Sequence, residues 1–382
     1  MSISSLLFRT RLQLLKPTPI ATKGKAMWKK LERLFARKTD RLLGIDIGTG
    51  AAKLAEVVCR RGQPLVMAVG MVDLPDGIME NGYINDSAML TQTLRQLLAV
   101  SGARGRDAVF AVGGKSIYVR EMLFPTMTEE ELREAIKWDI EKYVPYEPDS
   151  YYYDFAVVGP GKNEREIKVL LVAVPRPIVD SITAVAKELG LRPVAIDIEP
   201  LALYRTLAEA ENALVIDIGC QLSQVSVFQQ GSLAVTRAIA VGGRRFTEVV
   251  ASTLDLEIGE AELFKRRQKA LLQRPDQEGE QSHLHRQLEL VVNDLIREVL
   301  RTAEYYQMQN KEARLDKVLL CGGGAKLDNL SYHLAAQLGL PVSPQTFMPQ
   351  LQVAEAIDQN YLQENFAQLA VAVGLAMRGG GL

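Results

Sequence analysis

The chain has 382 residues, of which 47% are hydrophobic and 24% charged, a composition typical of globular proteins and a length sufficient for two or more domains. Its net charge of −1 hides an asymmetry, because residues 1–41 carry 11 Lys/Arg and 2 Asp/Glu while the remainder carries a net charge of −10. This acidic body argues against a nucleic-acid-binding domain, which would present a basic surface.

The cysteines and histidines indicate neither a disulfide framework nor a metal site. Cys59, Cys220 and Cys321 are far apart and form no Cys-x-x-Cys pair, which fits a reducing cytoplasm. Cys59 and Cys220 lie in strand-like segments and are expected in or near a core. The histidines are expected at the surface rather than as metal ligands: His283, His285 and His333.

Residues 1–41 are predicted to form a basic N-terminal extension that is partly disordered. Their apolar runs are short and interrupted by Arg and Lys, which argues against a secretory signal. An amphipathic helix is predicted at 28–38. We expect this helix to dock on the protein or to lie in solvent. Contact with an anionic membrane is a less favoured alternative. No apolar run reaches 18 residues, so no membrane span is predicted.

The first strong pattern is a glycine-rich hairpin at Gly44–Lys53. An apolar strand carrying Asp46 runs into Gly48-Thr49-Gly50 and emerges as a second strand that ends near Val58. Glycines in a tight turn allow close approach of the backbone, so that the N–H groups of the turn can face an anion. Lys53 adds a cation, and Asp46 could hold a metal-bound water. The pattern fits a phosphate-binding hairpin for a nucleotide with magnesium, and an ordinary sheet hairpin is the alternative.

The next elements predict the rest of a first lobe and an insertion within it. A strand at Pro64–Val72, a helix at Leu90–Val100 and a strand at Asp107–Val112 come first. Residues 119–199 then have the order βαββαβ, which predicts a compact inserted subdomain. Its elements are Val119–Phe124, a helix from the capping box Thr128-x-x-Glu131 to Tyr143, Tyr152–Val158, Glu166–Val174, a helix at Ile178–Leu189, and Val194–Ile198.

The opening pattern then returns. A strand at Ala213–Cys220 carries Asp217 and Gly219 at the same relative places, 171 residues after the first copy. Strands at Gln224–Phe228 and Leu233–Val241 follow, so that each copy opens a three-strand meander. A repeat of this size predicts two lobes of like fold. Two helices are predicted next, at Ile258–Leu272 and Leu284–Met308, the second with a core-facing apolar stripe: Leu284, Leu288, Val291, Leu295 and Val299.

A third glycine turn follows the strand at 317–321. Gly322-Gly323-Gly324 lies between this buried strand and a helix, where backbone amides can approach a phosphate or a flat nucleoside. A single glycine triplet is weak evidence, but here it is the third glycine turn in an ordered series. A short strand at Leu340–Val342 and a closing helix at Ala367–Met377 complete the predicted elements.

These motifs, in this order, resemble the actin, heat-shock-chaperone and sugar-kinase superfamily. Within it, the chain is most similar to the PilM family of type IV pilus assembly proteins, relatives of the cell-division protein FtsA, over roughly residues 42–378. The resemblance implies an α/β, two-lobed actin-like (ribonuclease H-like) fold with an inserted βαββαβ-type IC subdomain in the first lobe. The implied domains are 1–41, the extension; 42–118, the first-lobe core; 119–199, the subdomain; 200–366, the second lobe; and 367–382, the closing helix and tail.

The resemblance also implies a site for ATP and Mg²⁺. Asp46 and Asp217 would hold the metal through water, and Glu199 would help to position the attacking water in catalysis. The other implied nucleotide contacts are Gly48, Thr49, Gly50, Lys53, Gly219, Ser223, Glu262, Lys265, Gly322, Gly323 and Gly324. The second hairpin departs from the family pattern, because Cys220-Gln221-Leu222 is bulkier than usual there. Binding would survive this change better than hydrolysis, which needs water and metal placed to a fraction of an ångström.

The function implied by the resemblance is that of a cytoplasmic ATP-binding component of the pilus machinery at the inner-membrane face. Its partner would be the N-terminal cytoplasmic tail of a PilN-like inner-membrane protein, bound in a groove between the first-lobe core and residues 119–199. Candidate contacts are Trp138, Tyr143, Tyr146 and Tyr151-Tyr152-Tyr153, although most of these can equally pack the subdomain core. No nucleic acid is expected, and any membrane contact would be peripheral.

Other functions of the same fold remain as alternatives. A sugar kinase would need a catalytic Asp and a cluster of sugar-binding polar residues in the cleft, which the sequence does not indicate. An FtsA-like division protein would be expected to end in a membrane-binding helix, and a GspL-like secretion component to continue into a transmembrane segment. The chain ends instead in a glycine-rich tail.

Overall fold

The structure is a computed structural model that describes residues 41–60, 63–161, 163, 165–207, 212–268, 271–272, 280–310, 314–348 and 351–380. The basic extension up to residue 40, with the amphipathic helix predicted at 28–38, therefore lies outside the described residues. None of the helices in the described ranges combines the length and the apolar character that crossing a membrane requires.

The elements of the described residues are as follows. The strands are β1 (Arg41–Ile47), β2 (Ala51–Arg60), β3 (Gln63–Asp73), β4 (Met79–Glu80), β5 (Tyr83–Ile84), β6 (Asp107–Val112), β7 (Tyr118–Pro125), β8 (Tyr151–Pro160), β9 (Glu166–Pro175), β10 (Arg192–Ile198), β11 (Asn212–Ile218), β12 (Ser223–Gln229), β13 (Ser232–Ile239), β14 (Lys317–Cys321), β15 (Val342–Pro344) and β16 (Gln352–Val353). The α-helices are α1 (Ser87–Ser101), α2 (Glu129–Tyr143), α3 (Arg176–Glu188), α4 (Glu199–Tyr204), α5 (Gly243–Leu254), α6 (Ile258–Arg267), α7 (Glu280–Gln309), α8 (Leu330–Leu338) and α9 (Gln359–Ala376). Two 3₁₀ turns lie at Gly323–Lys326 and Met377–Gly380.

The first lobe is built on a six-stranded sheet in the order β10-β6-β1-β2-β3-β16. Strands β1, β2 and β3 form an antiparallel meander, and β6 runs parallel to both β1 and β10. Neighbouring side chains of β2 point to opposite faces, because Leu54 packs in the same cluster as α1 and Ala55 packs against α9. The sheet is therefore covered by helices on both sides, which explains why its central strands are almost wholly apolar.

The second lobe repeats this arrangement with a five-stranded sheet, β13-β12-β11-β14-β15. An antiparallel meander of β11, β12 and β13 is followed by β14, which is parallel to β11 as β6 is to β1. The predicted stripe on α7 is buried against this sheet. The prediction of two lobes of like fold is confirmed, and the chain is α/β as expected.

The inserted segment forms a sheet of its own, in the order β7-β9-β8. The predicted capping box is present, with Thr128 and Glu131 bonded to each other's backbone N–H, and α2 packs on one face of the sheet. The other face packs against the first-lobe core. The predicted order βαββαβ is found, but β10 pairs with β6 and α3 packs on β10 and α1, so the separate sheet uses less of the chain than 119–199.

Two helices, the short α4 and the longer α9, connect the lobes and cross each other. Helix α4 leaves the first lobe, and α9 returns to it and packs on β1 and β2. A methyl group at Gly374 would overlap the carbonyl oxygen of Ala202, and one at Gly44 would overlap that of Ala372. These two glycines therefore permit the close approach of α9 to α4 and to β1. The chain returns to the first lobe earlier than predicted. Strand β16 already pairs with β3, and α9 starts at Gln359 rather than at Ala367.

Some local predictions were wrong. Helix α5 was not predicted, and α6 ends at Arg267 rather than at Leu272. His285 and His333 were expected at the surface but are buried, with ring centroids 5.7 Å apart, and both contact the backbone of Leu272. They meet only through packing of α7 against α8, which the local sequence does not reveal. Cys321 is fully buried, and Cys59 and Cys220 are half-buried.

Candidate functional site

A cleft of about 900 Å³ lies between the two lobes. Every residue that the sequence analysis assigned to a nucleotide site lies on its wall, although these residues come from five separate stretches of the chain. They are Asp46, Gly48, Thr49, Gly50, Lys53, Glu199, Asp217, Gly219, Ser223, Glu262, Lys265, Gly322, Gly323 and Gly324.

The first glycine hairpin joins β1 to β2 at the floor of the cleft. Antiparallel pairing sets Asp46 opposite Lys53, and Lys53 Nζ lies 2.9 Å from Asp46 Oδ2. The N–H of Gly48 donates to the carbonyl of Ala51 at 3.1 Å, which closes the turn. Both charged side chains are largely buried, so that their pairing compensates part of the cost of desolvation.

The second hairpin, between β11 and β12, repeats the turn but not the lysine. Gly219 N–H donates to the Leu222 carbonyl at 3.0 Å, matching the bond of the first hairpin residue for residue. Asp217, however, is paired with Gln224 across the strands. Lys53 is therefore the lysine that interacts with the carboxylates of both hairpins. Burial alone would lower the pKa of Lys53, but the carboxylates of Asp46, Asp217 and Glu199 raise it.

Three carboxyl groups converge on this single lysine. Burial, followed by the charges of Asp46 and Asp217, raises the pKa of Glu199 to about 8, against the opposing charge of Lys53. Burial also raises the pKa of Asp217 to about 6, with Lys53 opposing and Asp46 adding to the shift. The end of the cleft around Lys53 thus holds more negative charge than this lysine neutralises, and this favours either protons or a bound cation.

Glycines make room for two of these carboxylates. A methyl group at Gly113 would overlap the carboxylate of Glu199, and one at Gly322 would overlap Asp217 Oδ1. Gly322 also has φ +76°, a conformation that residues with a Cβ rarely adopt. A glycine is therefore needed at position 322 for two reasons, the positive φ of the backbone and the space taken by the Asp217 carboxylate.

The tips of the two hairpins meet across the cleft. A methyl group at Gly50 would lie 2.7 Å from Cys220 Cβ and 2.9 Å from its Sγ, closer than such atoms normally approach. Leu222 also faces the cleft, near Gly114 of the first lobe. The bulky residues of the second hairpin thus occupy space between the lobes, as their size in the sequence indicated.

Ser223 lies on the wall, but its hydroxyl is used within the second lobe. The residue is fully buried, and its hydroxyl donates to the carbonyl of Val241. A ligand contact through this side chain would require that bond to be exchanged. The site geometry thus supports a structural role for the Ser223 hydroxyl in holding the hairpin against the end of β13.

Helix α5 supplies site residues that the sequence analysis missed. The N–H groups of Gly243 and Arg244 each donate at 2.8 Å to carbonyls of the second hairpin, those of Gly219 and Cys220. A methyl group at Gly242 would lie 2.5 Å from the Cys220 carbonyl oxygen, so a glycine is needed there. The signal was present in the sequence, because a Gly-Gly pair follows a strand and precedes an amphipathic segment.

The predicted pair on α6 is formed. Glu262 and Lys265 lie one helical turn apart, with Lys265 Nζ 2.6 Å from Glu262 Oε2. Although burial alone would raise it, the pKa of Glu262 is lowered by hydrogen bonds from Lys265 and Thr247, by the charge of Lys265 and by Arg266. Glu262 is thus held as a carboxylate on the wall of the cleft.

The third glycine turn brings further polar groups that were not predicted. Lys326, in the 3₁₀ turn after the glycines, donates to Asn365 Oδ1 at 2.7 Å, and burial lowers its pKa. Asn365 and Gln368, near the middle of α9, also line the cleft. The position of Lys326, two residues after the glycine triplet, was the available signal, whereas the start of α9 was misplaced.

Ion pairs join the lobes at the rim of the cleft. Arg244 of α5 contacts both carboxylate oxygens of Asp76, at 2.9 and 3.1 Å. Arg266 of α6 lies 3.8 Å from Asp73. Both pairs are exposed and therefore contribute little to the free energy of folding, but each spans the opening.

The aromatic residues proposed for partner binding separate into two groups. Tyr151 is buried under α2, whereas Trp138 is 81% exposed on the side of α2 away from the sheet. Tyr152 packs instead toward the first lobe and donates to Asp180 at 3.1 Å, and Tyr146 donates to the Ser116 carbonyl at 2.9 Å. Only Tyr146 and Tyr152 of this set lie where the subdomain joins the first-lobe core.

Comparisons with known proteins bear on this arrangement. The chain matches the profile of the family described as type IV pilus assembly protein PilM over residues 44–380. The cell division protein FtsA of Escherichia coli (strain K12) is 22% identical over 364 residues, covering 80% of this chain and 86% of that protein.

Solved structures are similar over most of their length. A structure described as a PilM-PilN type IV pilus biogenesis complex is 28% identical with a TM-score of 0.78, covering 88% of this chain and 98% of the other. The ethanolamine utilization protein EutJ from Carboxydothermus hydrogenoformans is 17% identical with a TM-score of 0.51, covering 98% of this chain and 94% of the other. At that identity the likeness to EutJ bears on the fold alone.

Proposed function

The chain belongs to the type IV pilus assembly protein PilM family and has its actin-like fold, and we propose that it is an ATP-binding component of the type IV pilus assembly machinery. The observation that carries the nucleotide part of this proposal is the convergence of three glycine turns and the α6 pair on one cleft. Backbone N–H groups of such turns suit phosphate, and a cleft between lobes suits a ligand whose binding alters the lobe arrangement.

Mg²⁺ fits the donor set at the phosphate end. Asp46 and Asp217 present carboxylate oxygens from equivalent places on the two hairpins, and the raised pKa of Asp217 shows that negative charge there is poorly compensated. Mg²⁺ prefers oxygen ligands and retains several waters, so two carboxylates acting through water are sufficient. The metal would neutralise phosphate charge when bound, while Lys53 would hold Asp46 in place.

Slow hydrolysis is part of the proposal. Burial and the charges of Asp46 and Asp217 raise the pKa of Glu199 to about 8, so that in the cleft without bound metal this group holds its proton at neutral pH and is a poor base. Leu222 and Cys220 also take up space between the hairpins, where the usual small residues would leave room for water. The site therefore suits nucleotide binding that changes conformation rather than rapid turnover.

The proposed partner is the N-terminal cytoplasmic tail of a PilN-like inner-membrane protein. The similar structure is described as a PilM-PilN complex, and 98% of the matched chain in it is covered. We place the tail between the first-lobe core and the β7-β9-β8 sheet, where Tyr146 and Tyr152 are half-buried. Binding there would hold the protein at the inner face of the membrane and couple its nucleotide state to pilus assembly.

Calorimetric titration with ATP tests the nucleotide site. Binding is expected on the order of micromolar affinity with Mg²⁺ and far weaker with EDTA. Asp46→Ala and Asp217→Ala should each abolish the magnesium-dependent part, whereas Asp139→Ala, which removes an exposed partner of Lys142 on α2, should not. Unchanged magnesium-dependent binding in both cleft variants would sink the site assignment.

A pulldown with a synthetic PilN tail tests the partner site. Tyr152→Ala should weaken capture because it removes contact area where the subdomain meets the first lobe, and Trp138→Ala on the outer side of α2 is the matched aromatic control. Thermal unfolding of both variants shows whether the fold is kept. Equal capture by the two variants, or loss with Trp138→Ala alone, would overturn this placement.

The sugar-kinase alternative is not favoured. It needs a cluster of sugar-binding polar groups that the sequence does not indicate. The family match also covers the inserted subdomain, which a kinase function leaves unexplained. A panel of sugars that releases no ADP above background would agree with the pilus function.

A further inference from the structure

The end of the first lobe opposite the cleft carries a group of basic side chains. The hairpin between β1 and β2 faces the cleft, whereas Arg41 begins β1 and Arg60 ends β2 at the far end of the sheet. Because β6 and β10 run parallel to β1, they start at this same end, where the Arg192 N–H donates to the Arg106 carbonyl at 2.6 Å. We call this surface the basic face; its residues are Arg41, Arg60, Arg104, Arg106, Lys187 and Arg192.

The carboxylates beside the basic face are mostly buried. Glu56 is 2% exposed and accepts from Arg41 Nη1 at 3.1 Å. Asp107 is 6% exposed and pairs with Arg192. On the described segments that form this end of the lobe, the exposed carboxylate is Glu188, in the last turn of α3. The surface at this end therefore presents more positive than negative charge to solvent.

Three arginines of the basic face are available for an external anion. Arg60, Arg104 and Arg106 are exposed, and none of them forms an ion pair with a residue that the structure describes. A guanidinium is always charged and can donate two parallel hydrogen bonds to a phosphate. Val100, in the last turn of α1, adds a 64% exposed apolar side chain at the same end.

The basic extension joins the fold at this face. Residues 1–41 carry 11 Lys/Arg and 2 Asp/Glu, whereas the remainder carries a net charge of −10. The chain enters β1 at Arg41, so the two concentrations of positive charge are contiguous along the chain. Because like charges repel, the extension would be repelled by the surface on which it enters the fold. This favours an anionic partner that both can contact.

The sequence of the extension favours lipid over nucleic acid as this partner. Between positions 28 and 38 its basic residues alternate with large apolar ones: Trp28, Leu31, Leu34 and Phe35. Basic residues interleaved with Trp, Leu and Phe are typical of segments that lie at the interface of an anionic bilayer. A nucleic acid, by contrast, would extend along a body whose net charge repels it.

We propose that the basic face, together with residues 28–38, docks on an anionic phospholipid surface. The headgroup phosphates accept hydrogen bonds from Arg60, Arg104 and Arg106, and the cleft at the opposite end of the lobe faces away from the bilayer. This inference goes beyond the proposed function, because it requires neither a nucleotide nor a protein partner.

The orientation also suits the proposed partner tail. Asp180, which accepts from Tyr152, and Lys187 are seven residues apart on α3, about 10 Å along the helix axis. A tail that leaves the bilayer would therefore reach Tyr152 with about four extended residues. Docking by the basic face thus places the proposed groove close to the membrane from which the tail comes.

Co-sedimentation of the full chain with vesicles tests the proposal. The probes are vesicles of phosphatidylcholine alone and of phosphatidylcholine with about 30% phosphatidylglycerol, which supplies the anionic surface. The test variant combines Arg60→Gln, Arg104→Gln and Arg106→Gln. The control combines Arg286→Gln, Arg297→Gln and Arg301→Gln, which removes the same charge from exposed positions on α7. Thermal unfolding of each variant shows whether the fold is kept.

Wild type should bind the anionic vesicles at about 0.1 M salt and be released at about 0.5 M, because salt screens exposed charges. The test variant should bind at least about tenfold more weakly, since each basic residue at an anionic surface contributes to binding. The control should stay within about threefold of wild type. Neutralising Lys29, Lys30 and Arg33 in the extension in the same way should weaken binding to a similar degree.

Several results would overturn the proposal. They are equal binding of wild type to both kinds of vesicle, binding by the test variant that equals that of the control, and tighter binding of a labelled RNA duplex than of the anionic vesicles. The last result would assign the basic face to nucleic acid. Loss of ATP binding or of tail capture would instead remove the proposed function and leave this inference intact, because neither ligand is present in the vesicle assay.

Discussion

The raised pKa of Glu199 predicts how stability should change with pH. The Glu199 carboxyl has a pKa of about 8 in the folded protein and an ordinary value of 4.5. Between these values the unfolded chain has released the proton that the folded protein still holds. Glu199 therefore contributes stability that is complete below pH about 4.5 and is lost as the pH rises through about 8.

The magnitude follows from the linkage relation. One proton held only by the folded state lowers the free energy of unfolding by about 1.4 kcal/mol for each pH unit. From about pH 6 to about pH 8 the loss is on the order of 2 kcal/mol. Asp217, with a pKa of about 6, contributes mainly below this window. Burial lowers the pKa of His285, whose effect has the opposite sign and is complete near neutrality.

Glu199→Gln isolates this contribution, because the amide does not titrate. Urea denaturation of nucleotide-free protein in EDTA, at several pH values across the window, gives the free energy of unfolding for wild type and variant. The variant should gain stability relative to wild type as the pH rises. Glu248→Gln, which alters an exposed carboxylate paired with Arg245, should run parallel to wild type. Parallel curves for Glu199→Gln would refute the burial argument.

Three further predictions concern the same cleft and the helices α4 and α9 that connect its lobes. Gly374→Ala should lower the free energy of unfolding, measured by urea titration, by more than roughly 3 kcal/mol, because its methyl group overlaps the Ala202 carbonyl. Gly159→Ala, which has open space around it, should change it by no more than about 0.5 kcal/mol, and equal losses would contradict the close crossing of the helices. Gly50→Ala should weaken ATP binding about tenfold by pushing the hairpin tips apart, and Gly50→Ala with Cys220→Gly should restore it, so an unrestored double variant would argue against the contact. Lys53→Met should destabilise the protein more at pH about 8 than at pH about 5, because Asp217 and Glu199, with pKa values of about 6 and about 8, hold their protons at the lower pH. A pH-independent loss by urea denaturation would count against the shared role of Lys53.

Much of the architecture could be predicted from the sequence, because it depends on patterns that extend over only a few residues. Asp46-x-Gly48 and Asp217-x-Gly219 each follow an apolar strand, and the same turn hydrogen bond forms in both copies. Turn chemistry and strand alternation act over a few residues, so the hairpins, their order and the duplication of the lobes could be predicted. The glycine triplet after β14 was predicted for the same reason.

The missed features depend on contacts between distant segments. The Gly242-Gly243 pair and the amphipathic segment after it could be seen in the sequence, but their contact with the second hairpin is made between distant segments and could not. His285 and His333 are polar residues that are buried because both bond to Leu272, a contact made across two helices. The hydrogen bonds from Lys265 to Thr247 and to the Gly243 carbonyl likewise depend on the packing of α5 against α6. Local periodicity carries no information on such pairings.

The most direct test of the central claim is a crystal structure with a non-hydrolysable ATP analogue and Mn²⁺ in place of Mg²⁺, located by its anomalous signal. We expect the phosphates between the turns at Gly48 and Gly219, the cation beside Asp46 and Asp217, and the nucleoside between the Gly322–Gly324 turn and Glu262. An analogue bound outside the cleft, or an empty cleft at saturating concentration, would contradict it.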